Sequence, residues 1–124
     1  MPSSPFKYKL QFFAQAVGGG HKSVSMAVLD DELFNYHLSY YLLNQPIDYL
    51  TNDVLPELDK ALAGQPFDSD AGGTLSFLTI GPVQSTFSGI DEARADISVS
   101  TTDLREIIAQ WTQWVVANKL QDWV

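Results

Sequence analysis

Residues 96–116 read DISVSTTDLREIIAQWTQWVV, and their hydrophobic period changes partway along. At first apolar and polar side chains alternate, with Ile97 and Val99 on one face. From Leu104 to Trp111 and beyond, apolar residues recur at the three- and four-residue steps of an amphipathic helix. The stretch therefore predicts a half-buried strand that runs directly into a helix, with both elements facing one core.

Four other segments upstream of this stretch predict strands and the turns between them. Residues 6–12 and 23–28 alternate apolar and polar side chains, and they predict a hairpin across the glycine loop at 18–20. Residues 74–80 and 83–87 are also strand-like, and the Gly-Pro pair between them is typical of a turn. Residues 65–73, immediately before the strand-like residues 74–80, predict a loop.

Two further segments carry helical patterns. Residues 33–43 fit both strand alternation and helical spacing, but their length and the aspartates before them favour a helix. The second helix is predicted after a turn at 47–52, with Asp53 as its N-cap. That start places Pro56 in the tolerated first turn, and Gly64 is a natural stop.

The element order ββαα–βββ–α contains hairpins and lacks a βαβ rhythm. It predicts an α+β fold, an antiparallel sheet of about five strands with two or three helices packed on one face. The length of 124 residues suits a single domain over 1–124, and residues 1–5 are predicted to be a flexible arm.

The composition is acidic, with 15 aspartates and glutamates against 7 lysines and arginines and a net charge of −8. This charge argues against binding nucleic acid or an anionic membrane surface, and it favours a basic protein partner. Solubility alone also explains such a charge. The absence of cysteine excludes disulfides and zinc-thiolate sites, and the lack of a signal-peptide pattern or a long apolar run predicts a cytoplasmic protein.

No motif in the chain predicts catalysis, a cofactor or a metal. The glycines at 18–20 lack the phosphate-loop pattern, and neither His21 nor His37 belongs to a recognisable metal or nucleophile motif. The D-x-D pair Asp68 and Asp70 resembles the start of a calcium loop, but position twelve of that loop would be Thr79 instead of glutamate.

Acidic residues cluster instead at three turns or loops, and tyrosines follow the first cluster. If these turns converge in the fold, they form an anionic patch, and an exposed tyrosine beside it suits a protein interface, although ordinary amphipathic packing also explains the tyrosines. The candidate partner-binding residues are Asp30, Asp31, Glu32, Tyr36, Tyr40, Asp68, Asp70, Asp91 and Glu92.

Four stretches combine into one layout: LDDEL at 29–33 before an aromatic-rich segment, ALAG at 61–64, GTLS at 73–76 after an acidic loop, and ISVSTTDLREIIAQW at 97–111. This layout resembles the small cytosolic bacterial immunity proteins that are encoded beside contact-dependent or polymorphic toxins. The resemblance implies that the protein binds and blocks a toxin domain, often a basic nuclease. It carries over no binding residues.

The favoured hypothesis is therefore a stoichiometric protein inhibitor of a cognate, basic toxin, without catalytic activity of its own. Two alternatives stay open. One is a small-ligand-binding or catalytic domain with a pocket around His37 and nearby carboxylates, and the other is a self-associating structural module. The sequence predicts neither the strand order nor the oligomeric state.

Overall fold

The computed structural model describes residues 8–17, 21–74, 76–89 and 95–121. Its elements are, in chain order, β1 (Leu10–Val17), β2 (His21–Val28), α1 (Glu32–Leu43), α2 (Ile47–Tyr49), a π-helical turn (Leu50–Val54), α3 (Leu55–Leu62), β3 (Asp70–Gly73), β4 (Ser76–Thr79), β5 (Gln84–Gly89), β6 (Ile97–Ser100) and α4 (Thr101–Ala117). The predicted α+β class is confirmed. The described strands form two antiparallel sheets, β1-β2 and β3-β4-β5-β6, instead of one sheet of about five strands.

The hairpin β1-β2 is confirmed with different bounds: β1 lies further along the chain than the predicted strand 6–12, whereas β2 begins before the predicted strand 23–28 and ends at the same residue. β1 begins at Leu10, and the predicted strand residues 6 and 7 lie outside the described part of the chain. Pairing runs from Leu10 opposite Val28 to Val17 opposite His21. Pairing between the two strands therefore continues to the turn. Near the turn the described side chains are exposed on both faces, so the sequence shows no alternation there.

Residues 33–43 form the predicted helix, α1. The Asp31 carboxylate caps it by accepting a hydrogen bond from the Phe34 N–H at 3.0 Å. Its buried side consists of Phe34, His37, Leu38, Tyr41 and Leu42. Helical spacing prevails over alternation here because only a helix brings all five side chains to one side.

The segment from α2 to α3 is one continuous helical run, so the predicted helix start at Asp53 is wrong. Asp53 lies inside the π-helical turn and caps nothing. The Leu55 N–H bonds to the Leu50 carbonyl, five residues back. This wider turn accommodates Pro56, which has no N–H to donate and whose ring would crowd a regular α-helix. Gly64, with φ +73°, ends the run as predicted.

The edge strand β3 was not predicted, since residues 65–73 have the composition of a loop. β3 contains two glycines, and its register against β4 shifts between Asp70 and Gly73. A short, bulged edge strand without β-branched residues carries no alternating signal, because its position depends on the neighbouring strand β4.

The junction between β6 and α4 confirms the prediction made from residues 96–116. The Ser100 hydroxyl accepts a hydrogen bond from the Asp103 N–H at 3.3 Å and caps α4. The Thr101 hydroxyl donates to the Gly81 carbonyl at 2.7 Å and lies 2.8 Å from the Ser85 hydroxyl. These bonds fix the start of α4 against the turn between β4 and β5.

Helices α1 and α4 pack on the same four-stranded sheet, and α1 also contacts β2. The Phe34 ring connects the two sheets, because its centroid lies 4.7 Å from Tyr8 beside the hairpin and 6.1 Å from Phe87 on β5. Trp111 on α4 is fully buried, and its ring centroid lies 5.4 Å from that of Phe12 on β1. In the described part of the chain, no helix combines the length and the apolarity needed to cross a bilayer.

Candidate functional site

The first acidic cluster lies at the start of α1, and two of its three carboxylates support the local fold. Asp30 accepts a hydrogen bond from the Lys9 N–H at 3.3 Å, and Asp31 caps α1. Glu32 is exposed in the first turn, where its charge is favourable at the positive end of the helix dipole. Of the three carboxylates, Asp30 and Asp31 accept described hydrogen bonds. Glu32 accepts none, and it stabilises α1 through its charge.

Tyr36 and Tyr40 follow Glu32 at four-residue steps, so all three residues share one side of α1. Tyr40 is 41% exposed, whereas Tyr36 is half-buried. Their ring centroids lie 4.8 Å apart in an edge-to-face arrangement. The structure therefore brings three of the predicted partner-binding residues together at the surface.

A surface groove of about 490 Å³ runs along this side of the helix, and we call it the α1 groove. It is lined by Glu32, Leu33, Asn35, Tyr36, Ser39 and Tyr40. The Asn35 side-chain oxygen accepts a hydrogen bond from the Val28 N–H at 2.8 Å, and the Ser39 hydroxyl donates to the Asn35 carbonyl at 2.7 Å. The groove thus combines two aromatic rings with one charged group, the Glu32 carboxylate.

The other described acidic candidates, Asp68 and Asp70, lie in a separate cleft of about 280 Å³ between β3 and the helical run. We call it the acidic cleft, and its polar lining comprises Tyr49, Asn52, Asp53, Glu57, Asp68 and Asp70. Asp53 and Glu57 were missed because nothing in the local sequence signals that the helical run folds against β3. No described contact joins this cleft to the α1 groove, and Asp91 and Glu92 lie outside the described residues.

The carboxylates of the acidic cleft mostly satisfy backbone groups. Glu57 accepts a hydrogen bond from the Asp68 N–H at 2.7 Å and pairs with Lys60 at 2.9 Å. These two contacts, the backbone bond first, lower the pKa of Glu57. Asp68 in turn accepts from the Asp70 N–H, and Asp70 from the Gly72 N–H, both at 3.0 Å. The D-x-D pair therefore shapes its own loop.

Tyr49 experiences the negative field of this cleft. Its pKa is raised first by partial burial and then by the nearby charges of Asp53, Asp70 and Asp68. Among the residues that the structure describes, no group of histidines and carboxylates has the arrangement to hold a metal ion. Three of the carboxylates that line this cleft, those of Glu57, Asp68 and Asp70, already accept backbone N–H groups.

His37 is fully buried beneath α1, and it lines neither the groove nor the cleft. Its Nε2 lies 2.9 Å from the Ala95 carbonyl, which can only accept, so Nε2 carries the hydrogen. In the neutral ring Nδ1 then accepts from the Ser76 hydroxyl at 3.0 Å. Both nitrogens are occupied, and no described carboxylate contacts the ring, so the described residues show no pairing of His37 with an acid.

Tyr41, on the buried side of α1, provides a pH-dependent test of how the helix holds β3. Its hydroxyl donates to the Ala71 carbonyl at 2.6 Å. Burial raises the pKa of Tyr41 above its usual 10.0, with smaller contributions from Tyr49 and Asp70. A raised pKa in the folded state means that stability is fully present below about pH 10 and is lost as the pH rises further.

We therefore expect Tyr41→Phe to lower the free energy of unfolding by about 1–3 kcal/mol at pH 7, because the Ala71 carbonyl loses its donor. Above pH 10 the wild type should lose stability more steeply than the variant, by up to about 1.4 kcal/mol per pH unit. Urea unfolding followed by circular dichroism measures both. Tyr49→Phe is the control with a smaller expected change in slope, and equal slopes for Tyr41→Phe and the wild type would contradict the expectation.

Comparison with known proteins adds no further constraint on the site. No family model matches the chain, and searches of curated proteins and of solved structures returned no significant match.

Proposed function

We propose that this protein is a bacterial immunity protein that binds a cognate toxin domain in a one-to-one complex and blocks its activity. The observation that carries the proposal is the α1 groove, in which an exposed carboxylate lies on the same side of a helix as an exposed tyrosine. Exposed tyrosines are typical anchors of protein interfaces. The resemblance in layout and the net charge of −8 point in the same direction.

The start of α1 carries negative charge that the described residues do not neutralise. Among them, Asp30, Asp31 and Glu32 form no salt bridge, whereas the described ion pairs join Glu57 with Lys60 and Asp59 with Arg105. Uncompensated charge at a surface attracts a basic partner and orients its approach. This supports a basic toxin, for example a nuclease whose active site binds phosphates.

In this mechanism the protein acts by occupying the toxin surface instead of by chemistry. Carboxylates at the start of α1 would take the place of nucleic-acid phosphates, and the tyrosines of the α1 groove would pack against the toxin. Long-range charge would raise the association rate, whereas the buried aromatic contacts would slow dissociation. The complex would form in the cytoplasm, where a nuclease toxin meets its substrate.

The deciding experiment is co-expression with the product of the adjacent upstream gene. We expect the two proteins to co-purify one-to-one, with a dissociation constant in the micromolar range or tighter, and the immunity protein to rescue cells from the toxin. Raising the salt concentration from 50 to 500 mM should lower the association rate at least about tenfold. A missing neighbouring toxin gene, no binding at micromolar concentration or no rescue would lead us to abandon the proposal.

Sedimentation of the isolated protein serves as the control for self-association. A concentration-dependent increase in mass, together with no toxin binding, would favour the self-associating structural module instead.

A further inference from the structure

We infer that the α1 groove receives an arginine-bearing segment of the partner, with one guanidinium against the Tyr40 ring and another paired with the Glu32 carboxylate. This inference rests on the proposed function for the identity of the partner. The chemistry of the groove defines the class of ligand independently of that identity.

The groove favours a cation because its polar groups offer one strong acceptor. Glu32 is the charged member of its lining, and it forms no described salt bridge. The Asn35 side-chain oxygen already accepts a backbone N–H, and the Ser39 hydroxyl already donates to a carbonyl. A cationic side chain would therefore find its partner at Glu32.

The aromatic part of the groove favours a planar cation over a compact one. Tyr40 is 41% exposed, and the Tyr36 ring contacts it at 4.8 Å. The Tyr36 ring is itself held edge-to-face against the buried His37 ring at 5.2 Å. A tyrosine supported in this way loses little freedom on binding, and a guanidinium, which is flat and weakly hydrated, stacks on it better than an ammonium does.

The length of the groove sets the spacing of the two cations. Glu32 and Tyr40 are eight residues apart in one helix, which corresponds to about 12 Å along its axis. An extended segment covers about 13 Å in four residue steps, and side chains four positions apart point to the same side. Arginines four apart in an extended segment therefore fit both ends of the groove.

The acidic cleft does not offer the same site. Glu57, Asp68 and Asp70 each accept a backbone N–H, and Glu57 also pairs with Lys60. A cation there would compete with bonds that hold β3 and its loop. The α1 groove can take a cation without breaking any described hydrogen bond of Glu32.

The experiment titrates the full chain, labelled with nitrogen-15, with an amidated hexa-arginine peptide and separately with hexa-lysine at 150 mM salt. The two peptides carry the same charge, so a difference in their affinities reports the guanidinium group, and the part that Tyr40→Ala removes reports stacking. We expect hexa-arginine to bind about two- to fivefold more tightly, with amide shifts concentrated in α1. Tyr40→Ala should remove most of this preference, Tyr40→Phe should keep it, and Glu32→Gln should weaken both peptides.

The matched control is Glu106→Gln, which removes the same charge from an exposed position of α4. We expect it to change either affinity less than twofold, and thermal melts should confirm that every variant is folded. Equal affinities for the two peptides, no effect of Tyr40→Ala, or shifts centred on the acidic cleft would overturn the inference.

The same variants separate this inference from the proposed function. If the toxin binds and the variants Tyr40→Ala and Glu32→Gln leave its affinity unchanged, the toxin does not bind in the α1 groove. The inference is then wrong, and the proposed function is supported. If hexa-arginine binds as expected and no toxin binds, the proposed function is wrong. The α1 groove is then still an arginine-binding surface.

Discussion

Replacing Trp111 by alanine is expected to lower the free energy of unfolding by about 3–5 kcal/mol, a large part of the roughly 5–15 kcal/mol that stabilises an ordinary domain. Trp111 is fully buried, and its ring lies 5.4 Å from Phe12 and 5.6 Å from Trp114. The truncation would leave a cavity where α4 meets the hairpin. The hairpin contacts this ring through Phe12, so the truncation also removes this contact between β1 and α4.

The measurement is urea unfolding followed by far-ultraviolet circular dichroism, since the substitution removes a fluorophore. Val116→Ala, on the same helix but 49% exposed, is the control and should cost less than about 0.5 kcal/mol. Trp111→Phe should fall between the two, because the indole N–H has no described hydrogen-bond partner and its removal costs only packing. A loss below about 1 kcal/mol for Trp111→Ala would mean that the hairpin does not depend on this contact.

The stretch that contains Trp111 could be predicted from the sequence because its signal is periodic and long. Helix α1 was predicted on other grounds, its length and the aspartates before it, because its apolar residues fit strand alternation as well as helical spacing. The π-helical turn before α3 and the bulged strand β3 could not be predicted. The first depends on how the chain accommodates Pro56, and the second on pairing with β4, so neither leaves a period in its own residues.

The candidate site also contains some residues that could be predicted from the sequence and others that could not. Glu32, Tyr36 and Tyr40 were predicted as partner-binding residues, and their four-residue spacing already implies a shared side of any helix. The acidic cleft joins Glu57 to Asp68, eleven residues further along, through a backbone hydrogen bond that no local pattern encodes. The two acidic clusters that the structure describes do not form a single anionic patch, because Glu32 lines the groove of α1 whereas Asp68 and Asp70 line the cleft beside β3.

His37 shows why a lone histidine is hard to interpret from sequence, since its two partners lie 39 and 58 residues away. We expect His37→Phe to lower the free energy of unfolding by about 2–4 kcal/mol. Phenylalanine keeps a ring beside Phe87, but the buried Ser76 hydroxyl and the Ala95 carbonyl lose their partners. Ser76→Ala alone should cost about 1 kcal/mol, because it removes one of the two bonds.

The double variant His37→Phe with Ser76→Ala tests the cause of that loss. If the unpaired hydroxyl is responsible, the double variant should be more stable than the sum of the single changes predicts, by at least about 1 kcal/mol. Strict additivity would show instead that ring packing carries the effect. Below its melting temperature, His37→Phe should bind the proposed toxin partner with wild-type affinity, since the imidazole is fully buried and lines neither the groove nor the cleft. Loss of binding in a folded His37→Phe variant would contradict this expectation and would mean that the α1 groove depends on the imidazole against which Tyr36 packs.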